Sequence, residues 1–345
     1  MRDETAWASG YRMPKDIKPV VRELSQVPVW LLPVWALLYW CTIGGFAAVS
    51  VLGWTVAPAA GAGVSLVAMF AIARQMRALE CLVHEGSHYN WIRRNKRLND
   101  RLVNLLAGWP LLNDVAEYRE GHLLHHNHFG SPRDTDLERH AELESHALDR
   151  TTWSGFLRGV AVRMPRYWTG WFKAIGTNPR VLAKAVCWHA VVVTGLAVGV
   201  DAVWPVVTTW AVFWAATFAL VLPVLRMIGE LSEHVYGEHA LSPGVTAAGD
   251  AEAGRTLFDA TVTNMGPIHR LLFHPFGDGY HLLHHLYPSV PGCWLGRLHR
   301  ELMAADPGTY GGDLPNRIRL LERVRRGVYG LRHTVRGNRS RRAHA

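Results

Sequence analysis

Cysteine is scarce in this chain of 345 residues. The four cysteines stand at scattered positions, without the short spacings of a disulfide framework or a cysteine-based metal site. Too few lie together to hold an iron–sulfur cluster, and no glycine-rich fingerprint for a flavin or a nicotinamide follows a plausible strand. Redox chemistry in this chain would therefore need other metal ligands and electrons from a separate protein.

Charge is missing from two long stretches. No charged residue occurs from Leu24 to Ala73, which is enough for two membrane crossings of roughly 20 residues each. A second apolar region runs from Ala185 to Leu225 and is interrupted only by Asp201. Each region divides near its middle, so the pattern predicts two helical hairpins with four transmembrane spans.

The placement of positive charge predicts the orientation of these spans. Lysine and arginine are concentrated in the N-terminal arm, in the segment between the hairpins and in the tail after Arg297, whereas the hairpin turns carry almost none. Four spans bring all three basic regions to one side, as the positive-inside rule requires, with both termini in the cytoplasm. The alternative of a soluble protein with deeply buried helices does not explain this placement. A signal peptide is disfavoured, because the first 23 residues are polar and the apolar run is too long.

We therefore interpret residues 1–345 as one all-α membrane domain with a cytoplasmic helical cap. Its segments are an N-terminal arm (1–27), a first hairpin (28–80), a first part of the cap (81–184), a second hairpin (185–228), a second part of the cap (229–305) and a basic tail (306–345). The net charge of +9 is compatible with nucleic acid, but basic segments beside a membrane favour anionic lipid as the partner.

Histidine is abundant, and its spacing predicts a metal site. Three clusters occur among the 19 histidines: His84-Glu-Gly-Ser-His88, His122-Leu-Leu-His125-His126 and His281-Leu-Leu-His284-His285. Positions i, i+3 and i+4 share one face of a helix, so each cluster can direct its imidazoles to one point. Eight imidazoles suit two metal ions, but spacing alone does not choose among iron, copper, zinc and nickel.

Two hypotheses from other classes also fit part of this pattern. His84, Glu85 and His88 match the motif of zinc proteases, with Glu85 as the general base. A zinc hydrolase needs only three protein ligands and one open position, so six clustered histidines would stay unexplained. A metal-binding or transport protein without catalytic activity is the other alternative.

Further residues are candidates for the same site. His234 follows Arg226 and Glu230 at intervals of four, directly after the second apolar region, and is a candidate ninth ligand or an ordinary interfacial histidine. Acids near the clusters can accept hydrogen bonds from ligand rings or belong to a solvated face. These acids are Asp134, Asp136 and Asp278, of which Asp278 could also cap the helix that begins near His281. His128 is a further neighbour, while His140, His146, His239, His269, His274 and His299 receive no role.

Taken in order, these motifs resemble the membrane fatty-acid desaturase family, which also includes hydroxylases, ketolases and acetylenases. The matching features are the three clusters, the pair of spans between the second and third, and Glu233-His234 after the fourth span. Arg97-Leu98-Asn99-Asp100, Tyr118-Arg119 and Asp134-x-Asp136 flank the clusters as in the family, and residues 287–291 resemble its bacterial branch.

The resemblance implies four spans, a non-haem di-iron centre and dioxygen as co-substrate, in a bacterial inner membrane. It implies as iron ligands His84, His88, His122, His125, His126, His234, His281, His284 and His285, with Glu230 reaching the metal through water. We expect a desaturase acting on the acyl chain of a lipid or thioester, or a hydroxylase on the same scaffold, acting on a lipid or a specialised metabolite. Electrons would come from a ferredoxin or similar carrier with its reductase. One departure is Leu283, where many relatives carry an acid or amide.

Overall fold

The computed structural model describes residues 11–149, 153–234, 236, 261–264 and 266–312, and these residues are mainly helical. In chain order the α-helices are α1 (Ile17–Leu24), α2 (Leu31–Val56), α3 (Pro58–Ser87), α4 (Lys96–Val103), α5 (Val115–Asn127), α6 (Thr135–Glu142), α7 (Trp153–Thr177), α8 (Pro179–Gly199), α9 (Val203–Trp210), α10 (Leu222–Glu233), α11 (His281–Leu286), α12 (Gly292–Ala305) and α13 (Thr309–Gly312). Wider π-helical turns span Asn104–Gly108, Ala211–Val221 and His269–Phe273. An isolated antiparallel bridge joins His234 to Thr261.

The chain divides into two compact units. The first unit comprises residues 1–27, 119–166 and 227–345, and the second comprises residues 28–118 and 167–226. The second and third histidine clusters therefore belong to the first unit, while His84 and His88 belong to the second.

Three helices among the described residues are long and apolar enough to cross a membrane: Leu31–Val56, Pro179–Gly199 and the continuous helix Val203–Glu233. The predicted second span lies in α3 and is not among them. The apolar run of α3 ends at Arg74, after which Arg77 and Glu80 are buried. Burial of these charges is compensated by pairing, because Glu80 contacts Arg77 at 3.5 Å and accepts a hydrogen bond from Arg226 at 2.9 Å.

Helices α2 and α3 of the second unit pack as a close hairpin. Ser50 and Ser65 are hydrogen-bonded across it at 2.6 Å, and the indole of Trp54 donates to Ser65 at 2.9 Å. A Cβ atom at Gly61 would lie 2.8 Å from the backbone of Trp54, so the turn requires a glycine there. The two helices thus form a hairpin with its turn between Val56 and Pro58.

The first unit has an apolar core around α11. Leu282, Leu283 and Leu286 are buried in it together with residues of α1 and α12. Leu283 is fully buried, so the position at which many relatives are polar is here a packing position. Arg297 of α12 also donates to Glu23 of α1 at 2.8 Å on the surface of this unit.

Candidate metal centre

Helix α5 presents the second histidine cluster on one face. Asp114 begins the helix: its side chain accepts a hydrogen bond from the backbone of Ala116 at 3.0 Å, as an N-cap residue does. His122, His125 and His126 are buried, whereas the intervening leucines are exposed. The spacing i, i+3, i+4 thus directs all three imidazoles inward and leaves the other face of α5 open.

The third cluster lies on the short helix α11, whose six residues are all buried. The N-cap residue of this helix is Tyr280, so Asp278 stands two positions before the cap and not at it. His281, His284 and His285 therefore enter the interior of the first unit on a helix that the apolar core surrounds.

Pairs of ring nitrogens from distant parts of the first unit come into direct contact. Nε2 of His125 lies 3.1 Å from Nε2 of His285, and Nε2 of His126 lies 3.0 Å from Nε2 of His284. In addition, Nε2 of His281 lies 2.8 Å from Nε2 of His234, immediately after α10. Each pair presents the nitrogen that commonly ligates a metal.

Four of these imidazoles form a compact buried group. His125, His234, His281 and His285 each offer a ring nitrogen, and these nitrogens all lie within 4.8 Å of one another. Burial, together with the neighbouring histidines, lowers the pKa of His234 and of His285 well below the usual value. These two rings are therefore neutral, and converging ring nitrogens are the donor set that a divalent transition metal requires, so the group fits such an ion.

A second set of donors in the first unit comprises His122, His126 and His284. Their ring nitrogens also lie within 4.8 Å of one another. The rings of His122 and His126 meet edge to face with centroids 4.4 Å apart, and His122 stacks on His284 at 5.7 Å. The first unit thus brings together seven of the nine predicted ligands, as groups of four and three.

The first cluster occupies the end of α3 in the second unit. The rings of His84 and His88 face each other with centroids 5.6 Å apart, and both side chains are half-buried. Glu85 between them is buried, and its carboxylate accepts a hydrogen bond from Asn90 at 2.6 Å.

Asp134 contacts the ring of His125 at Nδ1, on the side opposite the Nε2 that meets His285. Its Oδ1 lies 2.8 Å from Nδ1 of His125, and its Oδ2 accepts hydrogen bonds from Tyr236 at 3.0 Å and from the backbone of Gly130 at 2.8 Å. Burial alone would lower the pKa of His125, but the carboxylates of Asp136 and Asp134 outweigh it and raise that pKa. Asp136, whose side chain is 45% exposed, lies 3.6 Å from Nε2 of His125. Of the two acids, Asp134 makes the contact that orients the ring.

The remaining predicted neighbours have mixed surroundings. Glu230 forms an ion pair with Arg139 at 2.9 Å, and His128 is half-buried just after α5. Carboxylate oxygens of Asp278 and Glu233 and a nitrogen of His281 lie within 4.8 Å of one another. His239 lies outside the described residues.

Two buried histidines near the site received no role from the sequence. Nε2 of His274 lies 3.5 Å from Oε1 of Glu233, and Nδ1 of His269 lies 3.3 Å from Nδ1 of His274. Neither histidine belongs to a repeated spacing, so only the fold brings them to Glu233.

Comparisons with known proteins agree with the geometry. A family model described as fatty acid desaturase matches residues 57–313. The chain is 27% identical, over 82% of its length and 90% of the relative, to a ceramide hydroxylase of Caulobacter vibrioides (strain NA1000 / CB15N). It is 23% identical, over 89% of its length and 86% of the relative, to a dihydrorhizobitoxine desaturase of Bradyrhizobium elkanii. The chain belongs to the fatty acid desaturase family.

Proposed function

We propose that this protein is an oxygen-dependent di-iron desaturase that introduces a double bond into the acyl chain of a lipid or thioester. The observation that carries the proposal is the buried group of His125, His234, His281 and His285, which a member of this family assembles from three separate parts of its chain. When bound, two iron ions would supply the activation of dioxygen that removal of hydrogen from an unactivated C–H bond demands.

The proposed ligand set contains nine histidines. Seven come from the first unit as described, and we add His84 and His88 of the second unit because their spacing matches the first histidine box of the family. We propose Glu230, Asp136, Asp278 and His128 as groups around this set.

The residues of the chain would orient and protect the metal. Asp134 accepts a hydrogen bond from Nδ1 of His125, which fixes the tautomer whose Nε2 can ligate. The ring of Phe129 packs against His125, His234 and His285 with centroids 4.9 to 5.5 Å apart. An apolar ring in that position keeps water away from one side of the histidine group, which favours chemistry on an apolar substrate.

A hydroxylase on the same scaffold is the second candidate. The ceramide hydroxylase is the more identical of the two relatives, and Leu283 replaces the acid or amide expected before the last histidine pair. A missing polar contact near the metal can change how the substrate lies. The substrate would then gain one oxygen atom and keep its hydrogens on neighbouring carbons.

We propose a four-span topology for the chain. α3 would form the second span, together with the three helices that are long and apolar enough to cross a membrane. Its buried Arg77 and Glu80 would lie near the cytoplasmic end, where charges are tolerated when paired. The histidine clusters would then lie in a cytoplasmic cap of a protein in the bacterial inner membrane.

A separate ferredoxin, or a similar acidic carrier with its reductase, would supply the electrons. The net charge of +9 favours attraction of an acidic partner, and such attraction weakens as salt screens it. We expect turnover at a subsaturating donor concentration to fall as ionic strength rises. Turnover that is independent of salt under these conditions would contradict this part of the proposal.

Product and metal analysis together test the function. The purified protein is supplied with oxygen, a ferredoxin, its reductase and a mixture of acyl lipids and thioesters, and products are identified by mass spectrometry. Loss of two hydrogen atoms supports the desaturase, and gain of one oxygen atom supports the hydroxylase. About two irons per chain are expected from the donor set. One zinc per chain, with no oxygen consumed on reduction, would overturn both.

A further inference from the structure

A buried row of polar groups lies next to His281. Because Nε2 of His281 contacts His234 at 2.8 Å, this nitrogen points into the histidine group and the other ring nitrogen points away from it. Glu233 and Asp278 both place a carboxylate oxygen within 4.8 Å of His281. Metal-ligating histidines commonly donate their second ring N–H to such a carboxylate.

A buried histidine lies next to the carboxylate of Glu233. The side chain of Glu233 is buried, and its Oε1 lies 3.5 Å from Nε2 of the fully buried His274. Nδ1 of His274 in turn lies 3.3 Å from Nδ1 of His269, which is also fully buried. A contiguous row therefore leads from His281 through Glu233 and His274 to His269.

The hydrogen-bonding capacity of the row is consistent along its length. Burial lowers the pKa of His269 to about 4, so its ring is neutral near pH 7. A neutral His269 can donate from Nδ1 to Nδ1 of His274, and His274 then carries its own hydrogen on Nε2, which lies 3.5 Å from Oε1 of Glu233. A buried carboxylate needs such donors, because burying an unpaired charge is costly.

The backbone around Glu233 is fixed to the segment that precedes α11. The backbone of Val262 donates to the carbonyl of Glu233 at 2.8 Å, and the side chain of Asn264 donates to the carbonyl of Ser232 at 2.8 Å. The backbone of Asn264 donates to the carbonyl of Gly279 at 2.6 Å. A Cβ atom at Gly279 would collide with the carbonyl oxygen of Asn264, so this approach requires glycine.

We propose that Glu233, held by His274 and His269, is the positioning residue that fixes the ring of His281 for metal binding. The inference rests on the proposed metal centre and extends it by two histidines that none of the three boxes contains. In this role Glu233 would act through His281, by setting the direction and the basicity of the ligating nitrogen.

Cobalt binding tests the role of Glu233 without relying on turnover. The affinity for Co²⁺ and the visible spectrum of the Co²⁺-loaded protein are measured for the wild type, for Glu233→Gln and for Glu301→Gln. Glu301 is an exposed residue of α12, so the control makes the same change of charge outside the site. We expect Glu233→Gln to bind Co²⁺ about tenfold or more weakly, with a shifted spectrum. Behaviour equal to that of Glu301→Gln would overturn the inference.

Variants of His274 and Asp278 separate positioning from packing. His274→Gln keeps an N–H donor and should retain most of the affinity, whereas His274→Phe fills the space without a donor and should lose it. Equal losses in the two variants would show that His274 only packs, and would overturn the inference even if Glu233→Gln does not fold. A larger loss in Asp278→Asn than in Glu233→Gln would also overturn it. If the wild type binds neither iron nor Co²⁺, the proposed function itself fails.

Discussion

The contacts of some histidines can be predicted from the sequence, whereas those of others cannot. The spacing of His122, His125 and His126 on one helix predicts that they share a face, and the buried rings of α5 agree. The contact of His125 with Asp134 is different, because the acid next to it in sequence, Asp136, has the same chemistry. Only the start of α6 decides between them: Asp134 is its N-cap residue and turns its carboxylate inward.

Removal of one ligand ring should abolish function while preserving the fold. We expect His126→Ala to lose oxygen-dependent turnover and to hold iron at least about tenfold more weakly, because its Nε2 is one of the paired nitrogens. Iron content and turnover are measured after purification from the membrane fraction. His146→Ala, which removes an exposed imidazole from the same unit, is the matched control. Full activity of His126→Ala would be incompatible with the proposed centre.

At the scale of elements, helix α11 follows a turn whose position can be predicted from the sequence but whose packing cannot. The pair Gly277 and Gly279 predicts a turn before the third box, and Gly277 has a positive φ of 85°. A Cβ atom at Gly277 would collide with the carbonyl oxygen of Gly292 at the start of α12. That close approach joins α11 to α12 and depends on tertiary packing, which no local pattern encodes.

Replacing Gly277 should therefore disturb the entry to α11. We expect Gly277→Ala to lower the free energy of unfolding by about 1–3 kcal/mol, since both its backbone conformation and the space beside it exclude a side chain. Thermal unfolding in detergent measures the change. Gly308→Ala serves as control, because nothing lies within 4 Å of the added atom there. A loss at Gly277 no greater than at Gly308 would count against this account of the turn.

Within the second unit, Asp114 at the start of α5 is tied to Lys184 of α8 by an ion pair of 3.1 Å. Burial alone would raise the pKa of Asp114, but hydrogen bonds from Lys184 and from the backbone of Ala116 outweigh it and hold the pKa below its usual value of 3.8. The folded protein therefore favours the charged carboxylate. Its contribution to stability is present above pH 3.8 and is lost as the pH falls through the lower folded-state pKa.

Substitution of this carboxylate should have an effect that depends on pH. We expect Asp114→Asn to destabilise the protein by about 1 kcal/mol near pH 7, because it removes a charged partner of Lys184. The difference in Tm from the wild type should shrink as the pH falls below 4, where the natural side chain also loses its charge. An effect that is the same at both pH values would refute the ionic explanation.

At the scale of the whole molecule, hydropathy predicts the membrane topology only in part. Three of the four predicted spans fall in helices that are long and apolar enough to cross a membrane, within the residues described. The apolar run of α3 is cut short by Arg74. Further along the helix Glu80 pairs with Arg226, which is far away in sequence, so this pairing cannot be foreseen from composition. Hydropathy alone therefore does not decide whether α3 crosses the membrane.

The number of spans can be determined from the two ends of the chain. With four spans, both termini should lie in the cytoplasm, whereas three spans would place them on opposite sides. Fusions of a reporter that is active only in the cytoplasm to the N-terminus and, separately, to the C-terminus distinguish these cases. We expect both fusions to be active. Activity of one fusion alone would reject the four-span topology.

The composition of the first unit has a consequence for the timing of biosynthesis. Its segments are separated in sequence by the residues of the second unit, and its group of four histidines draws on positions from His125 to His285. His125 is therefore synthesised long before His285, whose ring nitrogen it contacts. A nascent chain that is stalled before α11 lacks His281 and His285 and cannot complete this group, so any metal loading at the proposed centre would follow the synthesis of α11.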